Sequence, residues 1–114
     1  MNISVCIKRT PDTETRVAIA GDGASIDPAG VKYIVSPYDE MAVEAALRTK
    51  ESSGDGQVTV VTLGSEESVE TLRSGLAMGA DAARLLQGEV TMDGLATAKA
   101  WAAELEGRDD GLVL

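Results

Sequence analysis

The residue types that catalysis and metal binding most often need are scarce in this sequence. There is no His among its 114 residues, which removes the commonest general base, the Ser-His-Asp arrangement and imidazole metal ligands. Cys6 is the single cysteine, and its place inside an apolar run gives the thiol no activating charge, so we interpret it as a small buried side chain. The sequence therefore predicts neither a catalytic dyad nor a metal site.

A four-residue stretch, Ser36-Pro37-Tyr38-Asp39, is the first candidate for contact with a ligand. It begins a predicted helix, because Ser36 and Asp39 have the spacing of a capping box and Pro37 fits the first helical position. A helix start presents N–H groups and the positive end of the helix dipole, which ordinarily favour an anion.

The first turns of two predicted helices already carry negative charge. Asp39 and Glu40 lie in the first, and Glu66 and Glu67 lie in the second. Each carboxylate satisfies the helix dipole itself and repels a phosphate, and the sequence contains neither G-x-G-x-x-G nor a Walker-type loop. We expect these helix starts to tolerate a neutral group, such as an adenine ring or a ribose, with any phosphates held elsewhere.

Strand-like and helix-like segments alternate along the chain. The predicted strands cover residues 3–8, 57–64, 81–87 and 111–114, and the predicted helices cover 38–50, 65–80 and 91–108. This alternation predicts an α/β fold with a parallel sheet in a Rossmann-like, three-layer α/β/α arrangement. The expected strand order is third, second, first, fourth, with right-handed crossovers.

Ligands of open α/β sheets bind outside the carboxyl ends of the strands, near the point where the strand order reverses. Three segments should meet at that edge: Cys6–Arg9, Ser36–Asp39 and Thr62–Ser65. Lys8 and Arg9 read either as solvated charges or as groups that face an anion, and Gly64 reads as a turn glycine.

Each predicted helix has an apolar stripe that should face the sheet. The members of the three stripes are Tyr38, Met41, Ala42 and Ala45, widened by Val43 and Leu47; Val69, Leu72, Leu76 and Ala77; and Leu95, Ala98, Ala102 and Leu105. Before the first helix, residues 9–16 read as a polar connection, and two short apolar arms around Gly21-Asp22-Gly23 suggest a hairpin.

Composition narrows the class of protein. Apolar residues make up 44% and charged residues 25%, as in a globular chain, and the net charge of −9 argues against a nucleic-acid partner. A lone cysteine fits a reducing compartment. Because no signal peptide and no apolar run of membrane-spanning length is present, we expect a location in the cytoplasm, or in the mitochondrial matrix of a eukaryote, without membrane insertion.

The length predicts a single domain over residues 1–114. The apolar run GLVL at positions 111–114 is a short fourth strand. It favours an incomplete domain, truncated after that strand, that forms the front part of a longer protein. A naturally compact domain is the alternative.

Three segments together resemble the beginning of the beta subunit of electron transfer flavoproteins, the family that includes the FixA proteins. They are VCIKRTPDTETR, GVKYIVSPYDEMAVEAALRTKE and, most specifically, VTVVTLGSEESVETLRSGLAMGADAARLL. The last has the family's strand-Gly-helix pattern and its T-L-R-x-x-L-A-M-G-A-D ending. The resemblance covers nearly all of the chain, up to about Leu86, and is looser across the third predicted helix. It implies the adenine nucleotide alpha hydrolase-like class of Rossmann-like folds.

The resemblance implies an electron-carrier subunit and not an enzyme. Family members pair with an alpha subunit, which carries most of the contacts to the redox FAD, and transfer electrons from flavin dehydrogenases to a quinone oxidoreductase or another acceptor. The beta subunit binds AMP, or a second FAD in electron-bifurcating members. These cofactors and partners are what the resemblance implies for this chain.

The resemblance also implies which residues contact the adenine nucleotide. They are Cys6, Ser36, Pro37, Tyr38, Asp39 and Leu63, with Cys6 and Leu63 acting mainly through backbone and shape. The family usually has Asn where Ser36 stands, so a hydroxyl replaces an amide there. The family's phosphate-holding loop, rich in Asp, Gln, Thr and Gly, follows the fourth strand and is not in this sequence.

Two other functions are compatible with the same fold. One is a stand-alone adenine-nucleotide-binding module of the universal-stress-protein type. The other is an enzyme of the related nucleotide-hydrolase class, which is disfavoured because KRTPDTETR replaces the Ser-Gly-Gly phosphate loop of those enzymes after the first strand.

Overall fold

The computed structural model of the chain describes residues 1–89 and 92–114, so Thr91, the predicted first residue of the third helix, lies outside the described residues. Its elements are β1 (Ile3–Cys6), β2 (Arg9–Pro11), β3 (Tyr33–Val35), α1 (Pro37–Ser53), β4 (Val58–Gly64), a 3-10 turn (Glu66–Ser68), α2 (Val69–Met78), β5 (Ala82–Gln87), α3 (Gly94–Leu105) and β6 (Leu112–Val113). Within the described residues, no helix has both the length and the apolar character that crossing a bilayer demands.

The predicted sheet is confirmed. Four parallel strands lie in the order β5-β4-β1-β6, with Ile3 of β1 opposite Val58 of β4 on one side and Leu112 of β6 on the other. The connections from β1 to β4 and from β4 to β5 step the same way across the sheet, and the connection from β5 to β6 returns past β1. Right-handed crossovers therefore place α1 and α2 on one face and α3 on the other.

The hydrophobic core lies between the sheet and the pair α1 and α2. Alternate residues of β1, namely Ile3, Val5 and Ile7 just after it, are fully buried, as period-two strand geometry requires of an inward face. Val43 of α1 and Leu72 of α2 cover them within one cluster.

The predicted apolar face of α1 is only partly wrong, because Ala42 and Leu47 are half-buried against the core as predicted. Tyr38 is 81% exposed and Met41 is 68% exposed, while Val43 and Ala46 are fully buried. A hydrogen bond explains this orientation of the helix. Asp39, which lies on the same side of α1 as Val43 and Ala46, accepts it from the backbone N–H of Lys8, just beyond β1. That anchor turns the helix so that the Tyr38 side faces outward.

The stripe of α2 is partly wrong. Leu72 is buried as predicted and Val69 is half-buried, but Leu76 and Ala77 are exposed, and Gly75 is buried in their place. A Cβ on Gly75 would lie 3.0 Å from both methyl carbons of Val60. The missing side chain thus lets this turn of α2 approach β4 closely.

The stripe of α3 is also largely wrong. Leu95, Ala98 and Ala102 are exposed, and only Leu105 of the predicted stripe is half-buried. The helix is apolar around most of its circumference, so its pattern does not select one face. Trp101, the largest apolar side chain of α3, takes the half-buried position.

The connection between β1 and α1 contains more order than the sequence predicted. Residues predicted as a polar connection include β2, which pairs antiparallel with β3, so that Arg9 lies opposite Val35. The predicted hairpin is confirmed by an antiparallel bridge between Ile19 and Ile26. Gly23 in its turn has φ of 70°, which a glycine adopts without strain.

Candidate functional site

The carboxyl ends of all four parallel strands meet at one edge of the sheet, and the β1–α1 connection crosses that edge. Two backbone contacts fix the start of α1 against the end of β1. The Lys8 N–H donates to Asp39 Oδ2 at 2.8 Å, and the Ser36 N–H donates to the Lys8 carbonyl at 3.1 Å. We call this pair of contacts the Lys8 clamp. It brings the predicted stretch that begins at Ser36 beside the end of β1.

The predicted capping box is wrong in its contacts. Ser36 is the residue that precedes the helix, but its side chain makes no capping hydrogen bond. Asp39 reaches across to Lys8 instead of back to Ser36. The N–H groups of Asp39 and Glu40 both donate to the Ser36 carbonyl, at 2.9 and 3.0 Å. These two donors, which a phosphate on a helix start would need, are already used by the chain itself.

Cys6 ends β1 and is half-buried beside this clamp. Burial raises the pKa of its thiol, and the nearby Asp39 carboxylate raises it further. The thiol therefore stays protonated at neutral pH and is a poor nucleophile. The Cys6 N–H donates to the Leu114 carbonyl at 2.8 Å, so a ligand bond to this N–H would have to displace a hydrogen bond of the sheet.

Leu63 lies on the neighbouring strand and on the same face of the sheet as Cys6. The register pairs Cys6 with Val61, so Leu63 stands two residues further toward the carboxyl edge. Leu63 is half-buried, and its side chain lies against the turn after β5, where a Cβ on Gly88 would be 3.3 Å from Leu63 Cδ1. Cys6 and Leu63 thus form a small, partly covered apolar surface.

Pro37 and Tyr38 are exposed at the edge, and Tyr38 is not the core residue that the helical pattern predicted. An exposed aromatic ring on a rigid helix start is a surface on which a flat base can stack. The structure therefore brings Cys6, Ser36 and Asp39 together, and places Tyr38 outward from them.

Gly64 was predicted to let the strand pass into the following helix, and the structure gives the reason. It is the last residue of β4 and has no positive φ, so the position requires a missing side chain and not a left-handed backbone. A Cβ at this position would overlap the Ser68 hydroxyl and lie 3.3 Å from Ser68 Cβ. Glycine lets the buried Ser68 pack directly over the end of the strand.

Sequence reasoning missed a cluster formed by Arg9, Tyr33 and Glu67. The Arg9 guanidinium lies 3.6 Å from the centre of the Tyr33 ring, and Arg9 Nη2 lies 3.5 Å from Glu67 Oε2. Glu67 was interpreted only through its helix start, whereas it also pairs with a cation on the opposite side of the edge. The aromatic and β-branched run Tyr33-Ile34-Val35 was the signal that could have revealed the small sheet under this cluster.

Two cavities lie away from this edge. One, of about 230 Å³, is at the amino ends of the strands, and one, of about 220 Å³, lies between the ends of α1 and α2. Arg84, Arg108, Asp109 and Asp110 line the first cavity, so acids balance its arginines. Among the described residues, no three His, Cys, Asp or Glu side chains lie close enough together to hold a metal ion.

The chain is similar to flavoprotein subunits from several organisms. It is 41% identical over its whole length to the electron transfer flavoprotein subunit beta of Bradyrhizobium diazoefficiens and 38% identical to that of Syntrophomonas wolfei, spanning 46% and 44% of those proteins. It is 42% identical over 73% of its length to the mitochondrial subunit beta of Oryza sativa, of which the match spans 33%. The chain thus spans less than half the length of these curated relatives.

The model of one protein family matches this chain. It is described as the electron transfer flavoprotein domain, and residues 24–113 match it. The match includes the helix start at Ser36, both outer strands of the sheet and all three helices. With the parallel sheet and the sequence identities above, it shows that the chain belongs to the electron transfer flavoprotein domain family.

Proposed function

We propose that this chain forms part of an electron transfer flavoprotein beta subunit and binds an adenine nucleotide, AMP or a second FAD, at the carboxyl edge of its sheet. On this proposal the protein supports electron transfer from flavin dehydrogenases to a quinone oxidoreductase or another acceptor. It performs no bond chemistry and acts with an alpha subunit that supplies most of the contacts to the redox FAD.

The Lys8 clamp is the observation that carries the proposal. It holds the helix start beside Cys6. Because the N–H groups of Asp39 and Glu40 already donate to the Ser36 carbonyl, the site is suited to an uncharged, flat group. Adenine would lie between the exposed Tyr38 ring and the apolar surface of Cys6 and Leu63. The phosphates would extend away from Asp39, since a carboxylate next to a phosphate is repulsive.

The thiol of Cys6 fits this role through its shape. Its raised pKa keeps it neutral, so it presents a small, uncharged surface to the ligand. Ser36 is buried and holds its place through backbone contacts, which explains why a hydroxyl can stand where the family usually has an amide.

The test is ligand binding by the full-length chain co-expressed with its alpha subunit. Tyr38→Ala should weaken AMP binding about 10-fold, because one base–aromatic stack contributes about 1–3 kcal/mol. Met41→Ala is the matched control, since Met41 is exposed on the next turn of the same helix. Isothermal titration calorimetry measures both, and equal affinity of both variants and the wild type would contradict the proposed site.

The predicted location in the cytoplasm or the mitochondrial matrix and the identity of the electron donor stay predictions. The partner is tested in the same preparation, because a complex of the two subunits should be yellow from bound flavin. A colourless chain that does not associate with the alpha subunit would contradict the electron-carrier proposal and favour a stand-alone nucleotide-binding module.

A further inference from the structure

The segment between β2 and β3, residues 12–32, projects from the domain as an arm. None of its residues is buried, and most of them are exposed. The molecule measures 50 × 28 × 19 Å, and its radius of gyration of 15.0 Å exceeds the roughly 13 Å of a compact domain of this length. The arm is thus an exposed two-stranded hairpin, which by itself is marginally stable in water.

One face of the arm is apolar. Ile19 and Ile26 form a non-hydrogen-bonded antiparallel pair, because the Ala20 N–H donates to the Ser25 carbonyl and the Asp27 N–H donates to the Ala18 carbonyl. The side chains of such a pair lie close together on one face.

Val17, two residues before Ile19, extends the same face. The exposed fractions are 63% for Val17, 75% for Ile19 and 40% for Ile26. We call these three side chains the arm face. Clustered apolar side chains on an exposed hairpin mark an interaction surface more often than scattered ones do.

The net charge of the arm indicates which kind of partner covers the arm face. Residues 12–32 contain the acids Asp12, Glu14, Asp22 and Asp27 and the bases Arg16 and Lys32, so four negative and two positive charges leave −2. Asp22 accepts from the Ser25 hydroxyl and from the N–H groups of Ala24 and Ser25. These contacts lower the pKa of Asp22, so it remains ionised at the tip of the arm.

A second copy of this chain is a poor cover, since each copy carries −9 and presents the same acidic rim. We propose that the arm face is the docking surface for a separate protein chain that presents an apolar contact with a basic rim. This inference rests on the proposed function, on which that chain is the flavoprotein's alpha subunit.

The position of the arm gives the docking a consequence. The arm leaves the domain through β2 and β3, which continue directly into Lys8 and Ser36 of the Lys8 clamp. A partner held on the arm face would therefore sit next to the proposed nucleotide site and restrain the same connection.

The experiment measures the affinity of the full-length chain for its alpha subunit. Ile19→Thr and the triple variant Val17→Thr, Ile19→Thr, Ile26→Thr keep β-branched side chains, so the hairpin should still form. The expected losses of affinity are about 10-fold and at least about 100-fold, as for central apolar contacts of an interface. Leu95→Gln, which changes a side chain 67% exposed on α3, is the matched control and should bind like the wild type.

Hydrogen exchange and salt dependence add independent measurements. Amides of residues 17–27 should exchange fast in the isolated full-length chain and slowly in the complex. The affinity of the wild type should fall as salt rises, because an acidic arm meets a basic rim. Circular dichroism should show unchanged folding of all variants, since the substituted side chains are exposed.

The outcomes separate this inference from the proposed function. A wild-type chain that does not bind the alpha subunit would overturn both. Wild-type binding that the triple variant keeps would overturn the inference alone. So would a salt-independent affinity, protection of the arm amides before the partner is added, or self-association that depends on Ile19.

Discussion

On the face of the sheet that α1 and α2 cover, Ile3, Val5 and Val60 are fully buried beneath apolar side chains, whereas on the α3 face the fully buried neighbour of Ile3 is Ser4. The Ser4 hydroxyl donates to Asp110 Oδ2 at 2.8 Å. The α1 and α2 face is thus held by burial. The α3 face also buries Val61 of β4 but adds directed polar contacts.

Further ion pairs connect residues on the α3 side of the sheet. Arg108 Nε donates to Asp110 Oδ2 at 3.0 Å, and Glu104 of α3 accepts from Arg84 of β5 at 2.9 Å. No residue of α3 is buried. This face leaves Cys6 and Leu63 half-covered near its carboxyl edge, which is where the nucleotide is proposed to bind. A face packed as tightly as the other one would have no surface to offer a ligand.

The largest effect is expected from a cavity on the α1 and α2 face. Ile3→Ala should lower the free energy of unfolding by about 2–5 kcal/mol, because Ile3 is fully buried in the central strand. Leu95→Ala on α3 should change it by less than about 0.5 kcal/mol, since Leu95 is exposed. Urea unfolding of both variants measures the contrast, and similar losses would contradict the distinction between the faces.

On the α3 face, the free energy of unfolding should depend on the charge and the geometry of Asp110. Asp110→Ala removes the acceptor of Ser4 and the partner of Arg108, whose side chains are largely buried, and should cost about 2 kcal/mol. Asp110→Asn keeps an acceptor for the Ser4 hydroxyl and should recover about half of that loss. Equal losses for the two variants in urea unfolding would contradict this, because they would assign the whole effect to the charge of Asp110 and none to the acceptor that Asn retains.

A smaller effect is expected at Gly64, beside the candidate site. Gly64→Ala should cost about 1–2 kcal/mol, since the new methyl group would overlap the Ser68 hydroxyl. Ser68→Ala removes that hydroxyl, so the double variant should be more stable than the two separate losses predict. A double-mutant cycle measured by urea unfolding gives the interaction, and strictly additive losses would contradict the close approach.

The sequence was sufficient for the sheet and insufficient for the rotation of the helices. The β-branched runs around Val5 and Val60 and the alternation of strand and helix dictate the parallel sheet and its order. Each helix, however, is apolar on more than one side. The direction that Tyr38 faces depends on Asp39 binding the backbone of Lys8, a contact between segments that no local pattern reports.

The sequence predicted which segments lie close together at the site, but it did not predict the contacts between them. Because parallel strands end at a common edge, Cys6, Ser36 and Asp39 were expected near one another, and the structure brings them together. The capping box was wrong because the Asp39 carboxylate has more than one N–H donor nearby. It accepts a hydrogen bond from the Lys8 N–H instead. The three-residue strands β2 and β3, which carry Arg9 and Tyr33, are too short for a periodic signal.

The smallest predicted effect concerns a polar contact at the rim of the apolar face. Asp81, just before β5, accepts two bonds from Lys50 Nζ of α1, at 2.7 and 2.6 Å, and one from the Val58 N–H at 2.8 Å. The bond from Lys50 above all, and then that from Val58, lower the pKa of Asp81 below its usual 3.8. Asp81→Asn should lower the free energy of unfolding by about 1 kcal/mol at neutral pH, as for a partly exposed pair.

The pH dependence separates the charge of Asp81 from its shape. Because the folded-state pKa is lowered, the contribution is complete above the unfolded pKa and is lost as the pH falls through the folded one. The stability gap between the wild type and Asp81→Asn should therefore hold from neutral pH to about pH 5 and then close as the pH falls through the lowered folded-state pKa. Lys50→Gln should show the same closing gap in urea unfolding. A stability difference that persists in acid would show that Asp81 acts through packing. The ion pair of Asp81 with Lys50 would then not stabilise the rim of the apolar face.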